Sequence, residues 1–257
     1  MRLMLVAVLG VIFRTVLRAR RLPAVRPATF NGRGAVVCLG ASTVQGNMSY
    51  NFVDELARRL PDRTFVNAGV NGETSAQVLS RVPEVVACQP TDVIVMAGAN
   101  DLAAIRGARL AGGRRTTFDE FHANLTAIVR GLRPARVALM SIQPLGEVLD
   151  SPENQDMDRL NAIVRGVADA EDVPYLPFNE QMKSLLLGGD RPFRDSVPRV
   201  VVAAVLRLGL GLSLDLIGRL NGYRAHTEGL HLASPAGLLA ADLVEAHLAA
   251  PAQLEPK

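Results

Sequence analysis

A three-layer α/β/α domain is the fold class this sequence predicts, on three observations. Its 257 residues are 49% apolar and 21% charged, enough for one globular core. From Ala35 onward, short apolar runs alternate with longer stretches of helical period. The short runs are continuously apolar rather than alternating, as strands buried on both faces of a parallel sheet are.

In chain order, residues 1–22 come first as a separate segment. Leu3 to Phe13 is an unbroken apolar run, too short for the ~20 residues that span a bilayer, and Arg14, Arg18, Arg20 and Arg21 crowd its far end. The preferred reading is an anchor lying on a membrane surface with its arginines against anionic head groups. Positive charge on that side predicts the cytoplasmic face. An uncleaved or export signal, or a packed terminal helix, are the other readings. Residues 23–34, with Pro23 and Gly34, form a linker, and the main domain runs over 35–250, followed by a tail, 251–257.

Within the domain, strands are predicted at Ala35–Leu39, Thr64–Asn67, Asp92–Ala97, Arg136–Ser141 and Pro174–Phe178, making five in all. Helices are predicted near Tyr50–Leu60, Ser75–Ala87, Phe118–Leu132 and Asn154–Ala170, and again from Ser234–Pro235, where serine suits a cap and proline a first turn. Residues 196–222 are longer than a βα connection requires. Their only charges are Arg199, Arg207, Asp215 and Arg219, which helical spacing sets along one stripe, with a break at Gly209 and Gly211. This stretch reads either as an extra core layer or as an apolar lid that, with residues 1–22, meets a membrane.

Charge and composition exclude several classes. No acid precedes Asp54, while seven arginines do, so the net +3 belongs to the N-terminus; the rest holds 21 basic and 25 acidic side chains. Aromatics are 4% and tryptophan is absent, which argues against a nucleic-acid platform. Cys38 and Cys88 are the only cysteines, too few for a disulfide framework or a cysteine zinc site. No cofactor and no metal are expected.

Ligands of such sheets bind beyond the carboxyl ends of the strands. The first strand ends in Gly40-Ala41-Ser42-Thr43, the second in "NAGVNGET" and the third in "GAND". Near the C-terminus, "HTEGLHL" holds Glu228 and His231 three residues apart, with His226 as a rival base. Ser42, His231 and Glu228 are the three kinds of group that activate a serine nucleophile. The N–H groups of Ser42 and Gly69 and the amide of Asn100 are candidate donors to an oxyanion. His122 and His247 sit in helical patterns and read as structural, and Gly112-Gly113 with Arg114-Arg115 as a turn at the rim.

These blocks, in this order, resemble the signature blocks of the SGNH or GDSL-type hydrolases over roughly Ala35 to Leu248. The resemblance implies a flavodoxin-like sheet, with Ser42 as nucleophile, Ser42, Gly69 and Asn100 as oxyanion hole, and Glu228 and His231 completing a triad. Two residues depart from the pattern: Ala41 stands where aspartate is common, and Glu228 replaces the usual aspartate. The expected function is a serine ester hydrolase acting through an acyl-enzyme on a small-molecule ester, with a lipid or other apolar acyl group favoured. An acyltransferase with the same triad, or a non-catalytic membrane-associated module, are the alternatives. A short-chain dehydrogenase is disfavoured because none of Tyr50, Tyr175 and Tyr223 is followed four residues on by lysine. The elbow G-x-S-x-G fails at Val44.

Overall fold

The computed structural model describes residues 34–250 together with Gly10, Val11, Phe13 and Thr15. The rest of the expected N-terminal segment and linker, and the tail 251–257, lie outside the described residues. Five parallel strands, β1 (Val36–Gly40), β2 (Phe65–Gly69), β3 (Asp92–Met96), β4 (Arg136–Met140) and β5 (Tyr175–Leu176), form one sheet in the order β2-β1-β3-β4-β5. The sheet is flavodoxin-like. Its order reverses between β1 and β3, which opens a crevice at their carboxyl ends.

The helices are α1 (Ser42–Gln45), α2 (Phe52–Arg59), α3 (Ser75–Ser80), α4 (Val82–Ala87), α5 (Ala99–Ile105), α6 (Phe118–Gly131), α7 (Pro152–Ala170), α8 (Phe178–Leu185), α9 (Val197–Ala204), α10 (Leu214–Asn221) and α11 (Ser234–Ala249). Along β1, Val37 and Leu39 join a core with Phe121, Leu125 and Leu160, while Val36 and Cys38 join a second with Phe52, Leu56 and Val244. Alternate residues of a strand are thus buried on opposite faces, which is why the runs read as unbroken. Cys38 is one such filler, its thiol pushed up to about 12 by burial.

Strand β2, expected over Thr64–Asn67, runs to Gly69, and three further departures from expectation stand out. The helix expected over Ser75–Ala87 divides at Arg81, because Pro83 has no N–H for the preceding turn. Strand β5 stops at Leu176, since Phe178 already opens α8. In 196–222, α9 runs on through a wide π turn, Val205–Gly209, and the chain then breaks before α10, with Gly211 at φ +78°. The four charges therefore do not form one continuous stripe. Asp215 instead turns to accept from Ser234 N at 2.8 Å, capping α11. Among the described residues, no helix is long and apolar enough to cross a membrane.

Candidate active site

Ser42 is the first residue of α1, two residues beyond the end of β1, and is partly exposed at the crevice. The chain turns into α1 at once because β2 holds it there. Asn67 Nδ2 donates to Val44 O at 2.8 Å, and Asn67 Oδ1 accepts from Gly69 N at 3.0 Å. A Cβ on Gly69 would lie 2.1 Å from Gln45 N. Gly69 is therefore glycine for close approach, and its N–H is already engaged. The oxyanion role expected for Gly69 does not fit this geometry.

The loop after β2 offers a different donor. Gln45 Oε1 accepts from Asn71 N at 2.7 Å, which fixes the loop to α1. Gly72 follows at φ +78°, with nothing within 4 Å of where a Cβ would stand. Its carbonyl accepts from Arg114, so that arginine holds the loop rather than merely lining the rim. No described hydrogen bond uses the Gly72 N–H.

Asn100 is the second residue of α5, beyond β3. Its Nδ2 donates to Glu73 O at 2.9 Å, which leaves the second N–H of that amide available. The Glu73 carboxylate pairs with Arg81 at 2.6 Å, and Arg81 also donates to Gly40 O at 3.2 Å. The ends of β1, β2 and β3 are thus laced together around the crevice. Asp101 beside Asn100 has a different task. It accepts from Ser75 Oγ at 2.6 Å and from Ser75 N at 2.9 Å, capping α3. Burial raises its carboxyl above the usual range against the opposing bonds from Ser75.

His231 and Glu228 meet. Thr227 N donates to His231 O at 2.8 Å, closing a tight turn that absorbs the longer glutamate side chain. Glu228 Oε1 lies 2.5 Å from His231 Nδ1 and also accepts from His231 N at 3.3 Å, while Oε2 accepts from the Thr227 hydroxyl. Both residues are buried. Burial alone would raise the Glu228 carboxyl. The charge of His231 and the hydrogen bonds from His231 and Thr227 outweigh it and hold the group below the usual carboxylate range. His226 is fully buried, with Nε2 3.0 Å from Pro144 O and Nδ1 3.7 Å from Glu147 Oε1. Both ring nitrogens face the protein interior, so His226 supports the loop and is not a base.

One residue that sequence reading missed joins the two halves. Gln143, three residues beyond β4, is buried, and its Nε2 donates to Thr43 Oγ1 at 3.0 Å and to Leu230 O at 3.1 Å. It clamps the neighbour of Ser42 to the neighbour of His231. A second tie runs from Leu232 N to Ser49 Oγ at 3.1 Å and from Tyr50 N to Leu232 O at 2.8 Å. Ser42 Oγ and His231 Nε2 make no hydrogen bond to each other, as is common before a substrate closes the geometry. Beside Asn100 lies a cavity of about 270 Å³ walled by Ala103, Leu145, Phe193 and Leu230, with Arg106, Glu153 and Asp195 also lining it. The reading rule applied to the first three strands, extended to "SIQP" after β4, would have found Gln143. Gly72 lay within the quoted second block, but composition alone did not distinguish it from Gly69.

Comparison with known proteins follows this geometry. The model of the GDSL-like lipase/acylhydrolase family matches residues 38–198, well over half of the chain. Among solved structures, an acetyl xylan esterase, AlAXEase, aligns with TM-score 0.60 at 16% identity, covering 83% of this chain and 99% of that one. The lipase/acylhydrolase from Enterococcus faecalis aligns with TM-score 0.59 at 19% identity, over 84% and 95%. A catalytic mutant of an acetylxylan esterase from Geobacillus stearothermophilus aligns with TM-score 0.62 at 16% identity, over 85% and 97%. At these identities the likeness is one of fold. No curated protein matches the chain significantly.

Proposed function

The chain belongs to the GDSL-like lipase/acylhydrolase family, which makes ester hydrolysis its class of chemistry, and we propose that it cleaves carboxylic esters through an acyl-enzyme on Ser42. The observation that carries this reading is the buried Glu228–His231 pair at 2.5 Å, whose loop Gln143 fastens to the Ser42 turn. His231 Nε2 takes the Ser42 proton as Oγ attacks the ester carbonyl, and Glu228 holds the ring by Nδ1 and stabilises the imidazolium. The tetrahedral oxyanion accepts from the Ser42 N–H, the second N–H of Asn100 and the Gly72 N–H, which takes the place expected for Gly69. Collapse breaks the carbonyl–alkoxide bond, and the imidazolium returns its proton to the departing alcohol. Water, deprotonated by His231, then attacks the acyl-serine and releases the acid. The Geobacillus structures include catalytic mutants of a serine, a histidine and an aspartate three residues before that histidine, the spacing of Glu228 and His231.

The apolar side of the cavity beside Asn100, formed by Ala103, Leu145, Phe193 and Leu230, favours an acyl chain longer than acetyl. The experiment has two parts. Labelling with a fluorophosphonate and peptide mass spectrometry should put the adduct on Ser42. Turnover of p-nitrophenyl acetate, butyrate and octanoate should then favour the longer esters. An adduct elsewhere removes the nucleophile, and a preference for acetate removes the acyl assignment alone.

A further inference from the structure

The surface of the 196–222 insertion exposes apolar side chains that the domain does not cover. Val197, Val201 and Val202 stand out from α9, Leu210 from the break, and Leu216 and Leu220 from α10. Val202 is 57% exposed and Leu220 68%. On α9, Val197 and Val201 are one turn apart, and on α10 so are Leu216 and Leu220, so each helix presents an apolar row. Scattered exposed apolar residues need no explanation, but a concentration in one segment does.

A second observation says what covers it. A Cβ on Gly209 would lie 2.7 Å from Val11 Cγ1 and 2.6 Å from Thr15 Oγ1, so Val11 and Thr15 pack directly on the π turn of the insertion. Phe13, between those two contacts in sequence, is 65% exposed. Val11 thus adjoins the insertion that carries the exposed rows, and in the sequence Phe13 is followed by Arg14, Arg18, Arg20 and Arg21 with no acid before Asp54. Apolar area joined in sequence to a run of arginines is complementary to one partner chemistry, a bilayer with anionic head groups. A second copy of the chain would bring the same arginines against themselves.

We propose that the α9 face and Phe13 together form one docking surface for an anionic lipid bilayer. Two weak membrane signals acting together bind where either alone is marginal. The proposal does not depend on the ester chemistry, and it is tested with that chemistry switched off. Full-length Ser42→Ala protein is sedimented with vesicles of phosphatidylcholine alone and of phosphatidylcholine with phosphatidylglycerol. Partitioning is expected onto the anionic vesicles, about tenfold weaker at high salt. In the same background, Val202→Glu and Phe13→Glu should each weaken it by about tenfold or more, with unchanged thermal melts because both sites are exposed. Pelleting no greater than without vesicles overturns the proposal, as does equal pelleting of both variants and parent. Should sedimentation equilibrium instead show a dimer that Val202→Glu dissociates while vesicle binding stays at background, the face is a self-association surface and the bilayer is excluded.

Discussion

The crevice at the ends of β1 and β3 and the insertion 196–222 are neighbours built on opposite principles. In the crevice, each strand-end loop is held by polar groups: Asn67, Gln45, Arg81, Arg114 and Gln143 each spend side-chain hydrogen bonds on fixing a backbone. The insertion is held by apolar contact on one side, where Ala203, Leu208 and Ile217 pack with Met48, and exposes apolar residues on the other. A polar network of this kind fixes geometry to within fractions of an ångström, as charge stabilisation in a transition state requires. Apolar packing gives area without direction, which suits a fluid partner. The insertion itself is divided. Its α10 half is fastened to the histidine loop by Asp215 on Ser234 N and by Asn221 Nδ2 on Thr227 O at 2.8 Å, and α10 thus belongs to the site's scaffold.

This contrast breaks most decisively at the proposed nucleophile. Ser42→Ala or His231→Ala should lower p-nitrophenyl ester turnover on the order of 10⁴–10⁶-fold. A thermal melt of Ser42→Ala should coincide with that of the parent. Retained turnover in either variant would mean that the crevice is not the site.

Next comes the oxyanion. Asn100→Ala should reduce kcat by about 10²–10³, equivalent to roughly 2.7–4 kcal/mol, with KM changed little, because the donor acts on charge absent from the ground state. A matching rise in KM with constant kcat would reassign Asn100 to substrate binding.

Gln143→Ala is expected to cost about 10–100-fold in kcat, since the clamp positions Thr43 and Leu230 rather than touching substrate. The variant also leaves Leu230 O without that donor, for about 1–3 kcal/mol of stability by chemical denaturation. Loss of stability with full kcat would make the residue a structural tie alone.

Glu228 offers a smaller effect with a definite sign. Its folded carboxyl lies below the ordinary value of 4.5, so its contribution to stability is fully present above that value and is lost as pH falls through the lower folded one. Comparing the parent with Glu228→Gln by urea titration, the stability gap should be constant near about pH 7 and narrow below the unfolded carboxylate value. A gap independent of pH would show that Glu228 contributes through shape and not through charge. Turnover by Glu228→Gln should fall less than that by His231→Ala, because the backbone turn from Thr227 to His231 still orients the ring.

Much of the fold was legible because two-sided burial leaves a direct mark: β1, β3 and β4 show as apolar runs whose boundaries shift by a residue or so. The residues of the proposed site, Ser42, Asn100, Glu228 and His231, could be singled out in the sequence because the chemistry restricts which residue types serve. Gly69 and Gly72 show where that reading ends. Gly69 ends β2 and Gly72 lies in the loop after it, and the reason for each is three-dimensional: Gly69 lies against the α1 backbone, and Gly72 has positive φ with open space before it. Gln143 was missed for a related reason, since a buried glutamine bridging two loops has no local pattern, only partners 100 and 87 residues away.

The smallest expected effect falls on the exposed half of the insertion and separates it from its fastened half. Val202 stands on α9, 57% exposed, and gives up little packing when shortened or made polar. Val202→Ser should leave the turnover of a soluble p-nitrophenyl ester within error of the parent and stability within about 0.5 kcal/mol. Gly218 on α10 is the contrasting position, because a Cβ there would lie 2.4 Å from His226 O. Gly218→Ala must push α10 away from the histidine loop or strain that loop, and overpacking of this kind costs about 1–3 kcal/mol. The displacement reaches His231 through Asn221 and Thr227, so soluble-ester kcat should fall in Gly218→Ala and not in Val202→Ser. Equal turnover in the two variants would mean that α10 carries no more of the site's geometry than α9 does, and the division drawn within the insertion would fail.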